Sequence, residues 1–306
     1  MLVAPLPGVN RDDVLKTLRE TASTAIDAGN THGLAYARLC AYLEWVTASV
    51  RMLECRITAA DLGRLVLTPG YERLLSAAGS LTGADMGTQR VLGGMVSEEL
   101  RQRGRAFEDA IRDLDNQITG WPENSRYTVP DTGIYIEHEQ KLRDLDFATL
   151  LPGFADKTVR VAVPIIILDE LDGLKRSGDA HRRWRAGYTL AVMEEAFANT
   201  RVPGLLRNPA PDGTRGGVIL DLLLDPRGHV RLPINDDEII DRALAAQALA
   251  GTAVTLLTFD TGQAARARSA GLRVNKLTVP IGEEPPETRG RKAKRSSAAG
   301  AADSGS

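Results

Sequence analysis

Apolar positions repeat at helical spacing through the first 120 residues of the chain. One stripe of apolar residues lies on a long predicted helix that ends at the sequence Gly120-Trp121-Pro122, which is typical of a helix end. We therefore predict an all-α domain over residues 1–120, whose main stripe is a bundle core rather than a cofactor site. Alternating steps of four and three place the following residues of that stripe on one helix face: Leu39, Leu43, Val46, Val50, Leu53 and Ile57.

After Pro122 short apolar runs alternate with helical stretches, a pattern that predicts βαβ units and a mostly parallel sheet. The sequence Asp225-Pro-Arg-Gly228 predicts a hairpin turn between two of the strands, and residues 200–216 are rich in proline and glycine and predict a loop. We thus expect an α/β domain over residues 124–280. The predicted strands are 126–130, 160–168, 217–224, 229–232, 253–259 and 272–277, and the predicted helices are 133–142, 169–176, 179–199, 237–250 and 261–270.

The amino-acid composition adds few constraints to this prediction of two domains. The net charge of −2 means that a polyanion would have to bind through local patches or through bound metal. The two cysteines, Cys40 and Cys55, fall on one predicted helix about 22 Å apart, too far for a disulfide, so we expect a reducing cytoplasm. No apolar run approaches the roughly 20 residues that cross a bilayer, and no membrane partner is expected.

The end of the chain, residues 281–306, is polar and carries a basic cluster at 289–295. This composition predicts a disordered tail. Weak contact with nucleic acid and a purely solubilising role are both compatible with it.

Four acidic side chains stand at the ends of predicted strands or at the starts of predicted helices: Asp131, Glu170, Asp237 and Asp260. The carboxyl ends of strands line the ligand crevice in open α/β sheets, so these acids are expected to meet at one edge. Carboxylates about 4 Å apart repel by roughly 4 kcal/mol per pair at an effective dielectric constant of about 20. Such a cluster favours bound Mg²⁺ or Mn²⁺, and paired hard cations cleave phosphodiesters.

Each of these acids alone could be an ordinary cap or turn residue, and only their joint placement favours a site. Asp236 and Asp241 compete with Asp237, which we prefer because Ile239 and Ile240 then point into the core. Asp241 is expected to be a peripheral ligand one turn later. Thr132 and Thr258 flank the cluster and are expected to orient a carboxylate or a water.

Residues 179–185 open a helix with three arginines, Arg182, Arg183 and Arg185, around Trp184. One interpretation is that the arginines contact an RNA backbone while a base stacks on Trp184. The other is a solvated helix face with Trp184 in the core, which ordinary burial statistics favour.

The second half of the chain resembles the PIN domain, a family of small α/β ribonuclease domains. The resemblance covers about residues 124–280 and is carried by Asp131-Thr132, by Glu170 within residues 168–175, by Asp237 within residues 235–240 and by Asp260 after residues 256–259. Pro130 directly before Asp131 and the long segment between Glu170 and Asn235 depart from the family pattern.

The resemblance implies a three-layer PIN-like domain in which Asp131, Glu170, Asp237 and Asp260 bind Mg²⁺ or Mn²⁺. It implies a metal-dependent endoribonuclease acting on single-stranded RNA, with the helical domain serving assembly, as a homo-oligomer or with a protein partner, or substrate choice. Two alternatives stay open: a non-catalytic RNA-binding or protein-interaction module, and a DNA-directed nuclease of similar topology. A phosphohydrolase is disfavoured because Asp131-Thr132-Gly133 lacks the second acid of a D-x-D arrangement.

Overall fold

The computed structural model describes residues 3–30, 34–79, 85–198, 204–226 and 229–278. The tail predicted over residues 281–306 lies outside these ranges, as do parts of the predicted loops at 79–87 and 200–216 and part of the predicted turn at 225–228. None of the described helices combines the length and the apolar character needed to cross a membrane.

The first half of the chain is helical, as predicted. Side chains of Asn10, Thr58 and Thr68 accept hydrogen bonds from the first-turn backbone N–H groups of three helices, so local capping chemistry determines where these helices begin. The core lies where α1, α2 and α5 pack together, and it buries Leu39, Val46, Leu53 and Ile57 of the predicted stripe. The helices are α1 (Arg11–Gly29), α2 (Ala35–Leu53), α3 (Ala59–Leu65), α4 (Pro69–Ala78) and α5 (Met86–Gly120).

The second half is an α/β unit built on one sheet. In the part of the chain that is described, six strands pair in the order β3-β4-β2-β1-β5-β6, and only the pair between β3 and β4 is antiparallel. The strands are β1 (Arg126–Pro130), β2 (Val159–Pro164), β3 (Gly204–Arg207), β4 (Val218–Leu223), β5 (Val254–Thr258) and β6 (Arg273–Lys276). The helices are α6 (Thr132–Glu137), α7 (Phe147–Leu150), α8 (Ile165–Leu174), α9 (Ala180–Phe197), α10 (Asn235–Ala250) and α11 (Thr261–Ser269).

The prediction of one continuous strand over residues 160–168 is wrong. The strand β2 ends at Pro164, and the apolar residues that follow are the first turn of α8. Periodicity alone cannot separate a buried strand from a buried helix in such a run, and the missing N–H group of Pro164 ends the pairing. Glu170 consequently lies in the second turn of α8 rather than at a helix start.

The predicted hairpin is also wrong, because residues 229–232 form no strand. The backbone N–H of Leu232 donates to the buried carboxylate of Glu238 on α10 (2.9 Å) instead of to a neighbouring strand. The strand β4 pairs instead with β3, which arises from the predicted loop. At Gly204 a Cβ would lie 2.9 Å from the carbonyl oxygens of Ala196 and Leu220, so only glycine allows this approach.

Two smaller differences concern helices. The helix predicted over 133–142 ends at Glu137, and the short helix α7 was not predicted. The remaining predicted helices of this half are present with shifted ends.

The two halves contact each other through a buried arginine of α1. The guanidinium of Arg11 donates to the carbonyl oxygens of Trp121 (2.9 Å) and Leu249 (2.5 Å) and pairs with Glu123 (3.0 Å). Two separate hydrophobic clusters lie on either side of this contact. They fit a division into domains at residues 1–120 and 124–280, which we retain as a proposal.

Candidate active site at the carboxyl edge of the sheet

Two neighbouring parallel strands deliver the first pair of acids. Pro130 of β1 lies beside Leu257 of β5, and the backbone N–H of Asp131 extends this pairing by donating to the carbonyl oxygen of Leu257 (2.8 Å). Asp131 then caps α6, and Asp260 caps α11 by accepting a hydrogen bond from the backbone N–H of Gln263 (2.5 Å). The two acids therefore stand at one edge because both of their strands end there.

Glu170 reaches this edge from α8. One of its carboxylate oxygens accepts a hydrogen bond from the hydroxyl of Thr132, and the other accepts one from the side-chain amide of Asn235 (2.7 Å). Thr132 begins α6 and Asn235 begins α10. The Glu170 side chain thus connects the start of α6 with the start of α10.

The titration of Asp131 is strongly perturbed. Its burial, followed by the negative charges of Asp236 and Glu170, raises its pKa from 3.8 to about 6. Hydrogen bonds from the backbone N–H of Thr132 (2.7 Å) and from the hydroxyl of Thr258 (3.3 Å) act in the opposite direction. Both threonines thus contact Asp131, and their orienting roles stay a prediction.

Asp236 also faces the other acids. Burial raises its pKa, the guanidinium of Arg266 lowers it, and the charges of Asp260 and Glu170 raise it again. Asp237, which we preferred from the sequence, has its carboxylate held by the Nε of Arg266 (2.7 Å). The electrostatic partners of Asp131 include Asp236, so the structure adds Asp236 to the candidate set.

Arg266 is the contact that sequence reasoning missed. From α11 its guanidinium donates to Asp236 (2.8 Å) and to Asp237, and so it partly neutralises the start of α10. The only sequence signal for this was its position two turns after Asp260, which many surface arginines share.

The predicted peripheral ligand Asp241 lies elsewhere. Its carboxylate accepts hydrogen bonds from the guanidinium of its neighbour Arg242, and none of its described contacts reaches the acids above. We therefore give it no part in the site.

The three arginines of α9 have different environments. Arg185 is buried and donates to the backbone carbonyls of Tyr135 (3.1 Å) and His138 (2.7 Å), so its predicted contact with RNA is wrong. Arg182 pairs with Glu137 (2.9 Å), and Arg183 is exposed and donates to the carbonyl of Ser177 (2.6 Å). The expectation of a core position for Trp184 is also wrong, since this side chain is 52% exposed.

No three of the four predicted acids, all of which are described, have ligand atoms within 4.8 Å of one another. Glu170 is instead held by Thr132 and Asn235, and Asp236 and Asp237 are held by Arg266. Among the described residues, Asp225, His229 and Glu238 do have ligand atoms within 4.8 Å of one another. Glu238 is fully buried and already pairs with the guanidinium of Arg242 (3.4 Å), while its two oxygens bind His229 (2.7 Å) and the backbone of Leu232 (2.9 Å). Because a cation already compensates its charge, we interpret this group as a structural network.

Comparison with known protein families assigns residues 128–278 to the PIN domain. No curated protein matches the chain significantly. The assigned segment covers about half of the chain and contains the five acids described above, from Asp131 to Asp260. Residues 128–278, in the second half of the chain, therefore form a PIN domain.

Proposed function

We propose that this protein is a divalent-metal-dependent endoribonuclease that hydrolyses phosphodiester bonds of single-stranded RNA. PIN domains are in general nucleases and usually use divalent metals. The observation that carries the proposal is the meeting of Asp131, Glu170 and Asp236 at one sheet edge, where their charges and burial raise the pKa of Asp131 to about 6. A carboxylate destabilised in this way gains from a bound cation.

The residues at this edge fit a hard divalent cation. They offer carboxylate oxygens, which Mg²⁺ and Mn²⁺ prefer over nitrogen or sulfur donors. Asp131, Glu170, Asp260 and one of the pair Asp236 and Asp237 would hold the metal. When bound, such a metal activates a water molecule and neutralises charge that develops on the phosphate.

The protein orients these carboxylates in advance. Thr132 and Asn235 hold the two oxygens of Glu170, Thr258 holds Asp131, and the start of α11 holds Asp260. Because such contacts remove side-chain freedom before a ligand arrives, less free energy is lost on binding.

The first test is cleavage of a labelled single-stranded RNA of mixed sequence with Mn²⁺, with EDTA as the metal-free control. Glu170→Gln keeps the size and hydrogen-bonding capacity of the side chain but removes its charge. We expect it to lower the cleavage rate by about 100-fold or more, since charge stabilisation by a metal contributes several kcal/mol to the barrier.

Asp169→Asn is the matched control for this variant. Asp169 neighbours Glu170 on α8 but is exposed and pairs with Arg231 (2.6 Å), away from the other acids. It should cleave at nearly the wild-type rate. Equal activity of Glu170→Gln and wild type would overturn the assignment of the site.

The roles of Asp236 and Asp237 are separated by replacing each with Asn. We expect the larger loss of cleavage in Asp236→Asn, because Asp236 interacts with Asp131 and Glu170. A larger loss in Asp237→Asn would restore the choice made from the sequence.

The same assay tests the alternatives. Single-stranded DNA run in parallel identifies a DNA-directed nuclease. RNA binding that is unaffected by EDTA, without any cleavage, would identify a non-catalytic module.

We propose a cytoplasmic location because the thiols of Cys40 and Cys55 are both free.

A further inference from the structure

Two aromatic side chains of α9, Trp184 and Tyr188, form an exposed stacked pair. They are one helical turn apart, their ring centroids are 5.5 Å apart, and their planes differ by 13°. The ammonium of Lys141 lies 5.1 Å from the ring centroid of Trp184 and 5.7 Å from that of Tyr188. Together these three side chains define the aromatic platform.

Core packing does not account for the platform. Trp184 is 52% exposed, whereas Tyr188 is partly buried and packs against the core of the sheet. Tyr188 therefore holds the ring of Trp184 in a constant orientation while leaving much of it in contact with water. An exposed, ordered indole offers a large apolar surface to a ligand at little cost in side-chain entropy.

The charges around the platform fit a polyanion. Lys141 contacts the two rings and Arg183 donates to the carbonyl of Ser177. Among the described residues neither forms an ion pair with a carboxylate, so the positive charges of both are not neutralised by the protein. Unpaired bases stack on exposed aromatic rings, and neighbouring cations contact their phosphates. An acidic peptide would match the cations but would leave the stacked rings without a partner.

The platform is anchored to the helix that begins at Asp131. Arg182 pairs with Glu137 at the end of α6, and the buried Arg185 donates to the carbonyl of Tyr135 within α6. The six residues of α6 span about 9 Å. A nucleic-acid strand that contacts the platform and runs along α6 would therefore approach the acids at the other end of this helix.

We propose that Trp184, Tyr188 and Lys141 form a base-stacking subsite for single-stranded nucleic acid. An unpaired base stacks on the exposed rings, and Lys141 and Arg183 contact the adjacent phosphates. The substrate class rests on the proposed function, but the binding step needs neither metal nor cleavage.

The test is the binding of a fluorescein-labelled single-stranded RNA to the intact chain in EDTA, measured by fluorescence anisotropy. We expect Trp184→Ala to raise Kd by about 5-fold to 100-fold, the range for loss of one stacked base. Trp184→Phe keeps an aromatic ring and should stay within about 3-fold of wild type. This conservative variant and a thermal melt separate loss of stacking from loss of the fold.

Phe154→Ala is the matched control. Phe154 is an aromatic residue that is 76% exposed, and it precedes β2, which places it at the sheet edge opposite to the acids. Its removal should leave Kd unchanged. An equal loss of affinity in both alanine variants would overturn the subsite.

Binding of an abasic RNA strand of equal length and charge distinguishes base stacking from electrostatic attraction. Wild type should bind it more weakly than the normal strand, and Trp184→Ala should bind the two strands alike. The same comparison with single-stranded DNA shows whether the sugar matters.

The outcomes for the subsite and for the nuclease are distinct. A wild-type chain that never cleaves but binds RNA through Trp184 would support the subsite and contradict the nuclease. A chain that cleaves RNA while Trp184→Ala shows wild-type Kd and KM would contradict the subsite alone. Absence of any strand binding by wild type would also overturn the subsite.

Discussion

Burial, followed by the charges of Asp236 and Glu170, raises the pKa of Asp131, and its hydrogen bonds with Thr132 and Thr258 only partly offset this. Its protonated form therefore persists to higher pH in the folded, metal-free protein than in the unfolded chain. With a pKa of about 6 in the folded state and 3.8 in the unfolded state, its contribution to stability is complete below pH 3.8 and is lost as the pH rises through 6. The buried negative charge that would attract a cation therefore destabilises the folded protein when no cation is bound.

We predict that Asp131→Asn stabilises the metal-free protein above pH 7 by about 2 kcal/mol, because it removes the buried charge but keeps the side-chain shape. Near pH 4 the variant and wild type should be equally stable. Urea unfolding in EDTA at pH 4, 6 and 8 measures the difference. A difference that does not change with pH would show that the charge of Asp131 is not its cause.

At the scale of elements, the site depends on how the segment before α10 is held. Glu238 is fully buried, and its carboxylate binds the backbone N–H of Leu232, the ring of His229 (2.7 Å) and the guanidinium of Arg242 (3.4 Å). The backbone N–H of Leu232, which a hairpin would have used for strand pairing, is therefore bound by Glu238. They also set the position of Asn235 and Asp236, which begin α10.

We predict that Glu238→Ala lowers the free energy of unfolding by about 2–4 kcal/mol, because it leaves the backbone N–H of Leu232 and the ring of His229 without their acceptor and removes one of the two carboxylate partners of Arg242. Glu238→Gln keeps the acceptor for Leu232 and should cost distinctly less. Urea unfolding followed by circular dichroism compares the two. Equal losses would mean that the negative charge of Glu238 matters here rather than the acceptor oxygen that glutamine keeps.

At the scale of the whole molecule, the helical half and the α/β unit share the buried side chain of Arg11. Its contacts join α1 to Trp121, between the halves, and to Leu249 at the end of α10. At Gly251, where φ is +65°, a Cβ would lie 2.9 Å from the Nε of Arg11, so the chain approaches this arginine closely. We propose that residues 1–120 form a separate domain for assembly, as a homo-oligomer or with a protein partner. The exposed apolar side chains of Met86, Val91 and Met95 on α5 support this proposal. Light scattering of the intact chain, which measures its oligomeric state, tests it.

We predict that Arg11→Ala lowers the free energy of unfolding by about 2–3 kcal/mol, since two partly buried carbonyl groups lose a charged donor. Arg19→Ala is the control, because Arg19 lies on the same helix in an exposed pair with Asp115. That variant should change stability by less than about 1 kcal/mol. Similar losses in both variants would argue against Arg11 as the connection.

The sequence by itself determined the features that depend on neighbouring residues. Helical and strand periodicity separated the two halves, and the apolar stripe from Leu39 to Ile57 identified the core of the helical half. The strands β1, β4, β5 and β6 followed from short apolar runs. Asp131 and Asp260 were recognisable as site candidates because parallel strands bring their carboxyl ends to one edge.

Only the tertiary structure decided the features that need distant partners. The strand β3 exists because Gly204 allows close contact with Ala196 and Leu220, and residues 229–232 avoid pairing because Glu238 takes their hydrogen bonds. The interaction of Asp236 with Asp131 and the exposure of Trp184 likewise depend on how separate elements pack. Local patterns carry no information about such contacts, since their free energy arises only when elements far apart in sequence meet.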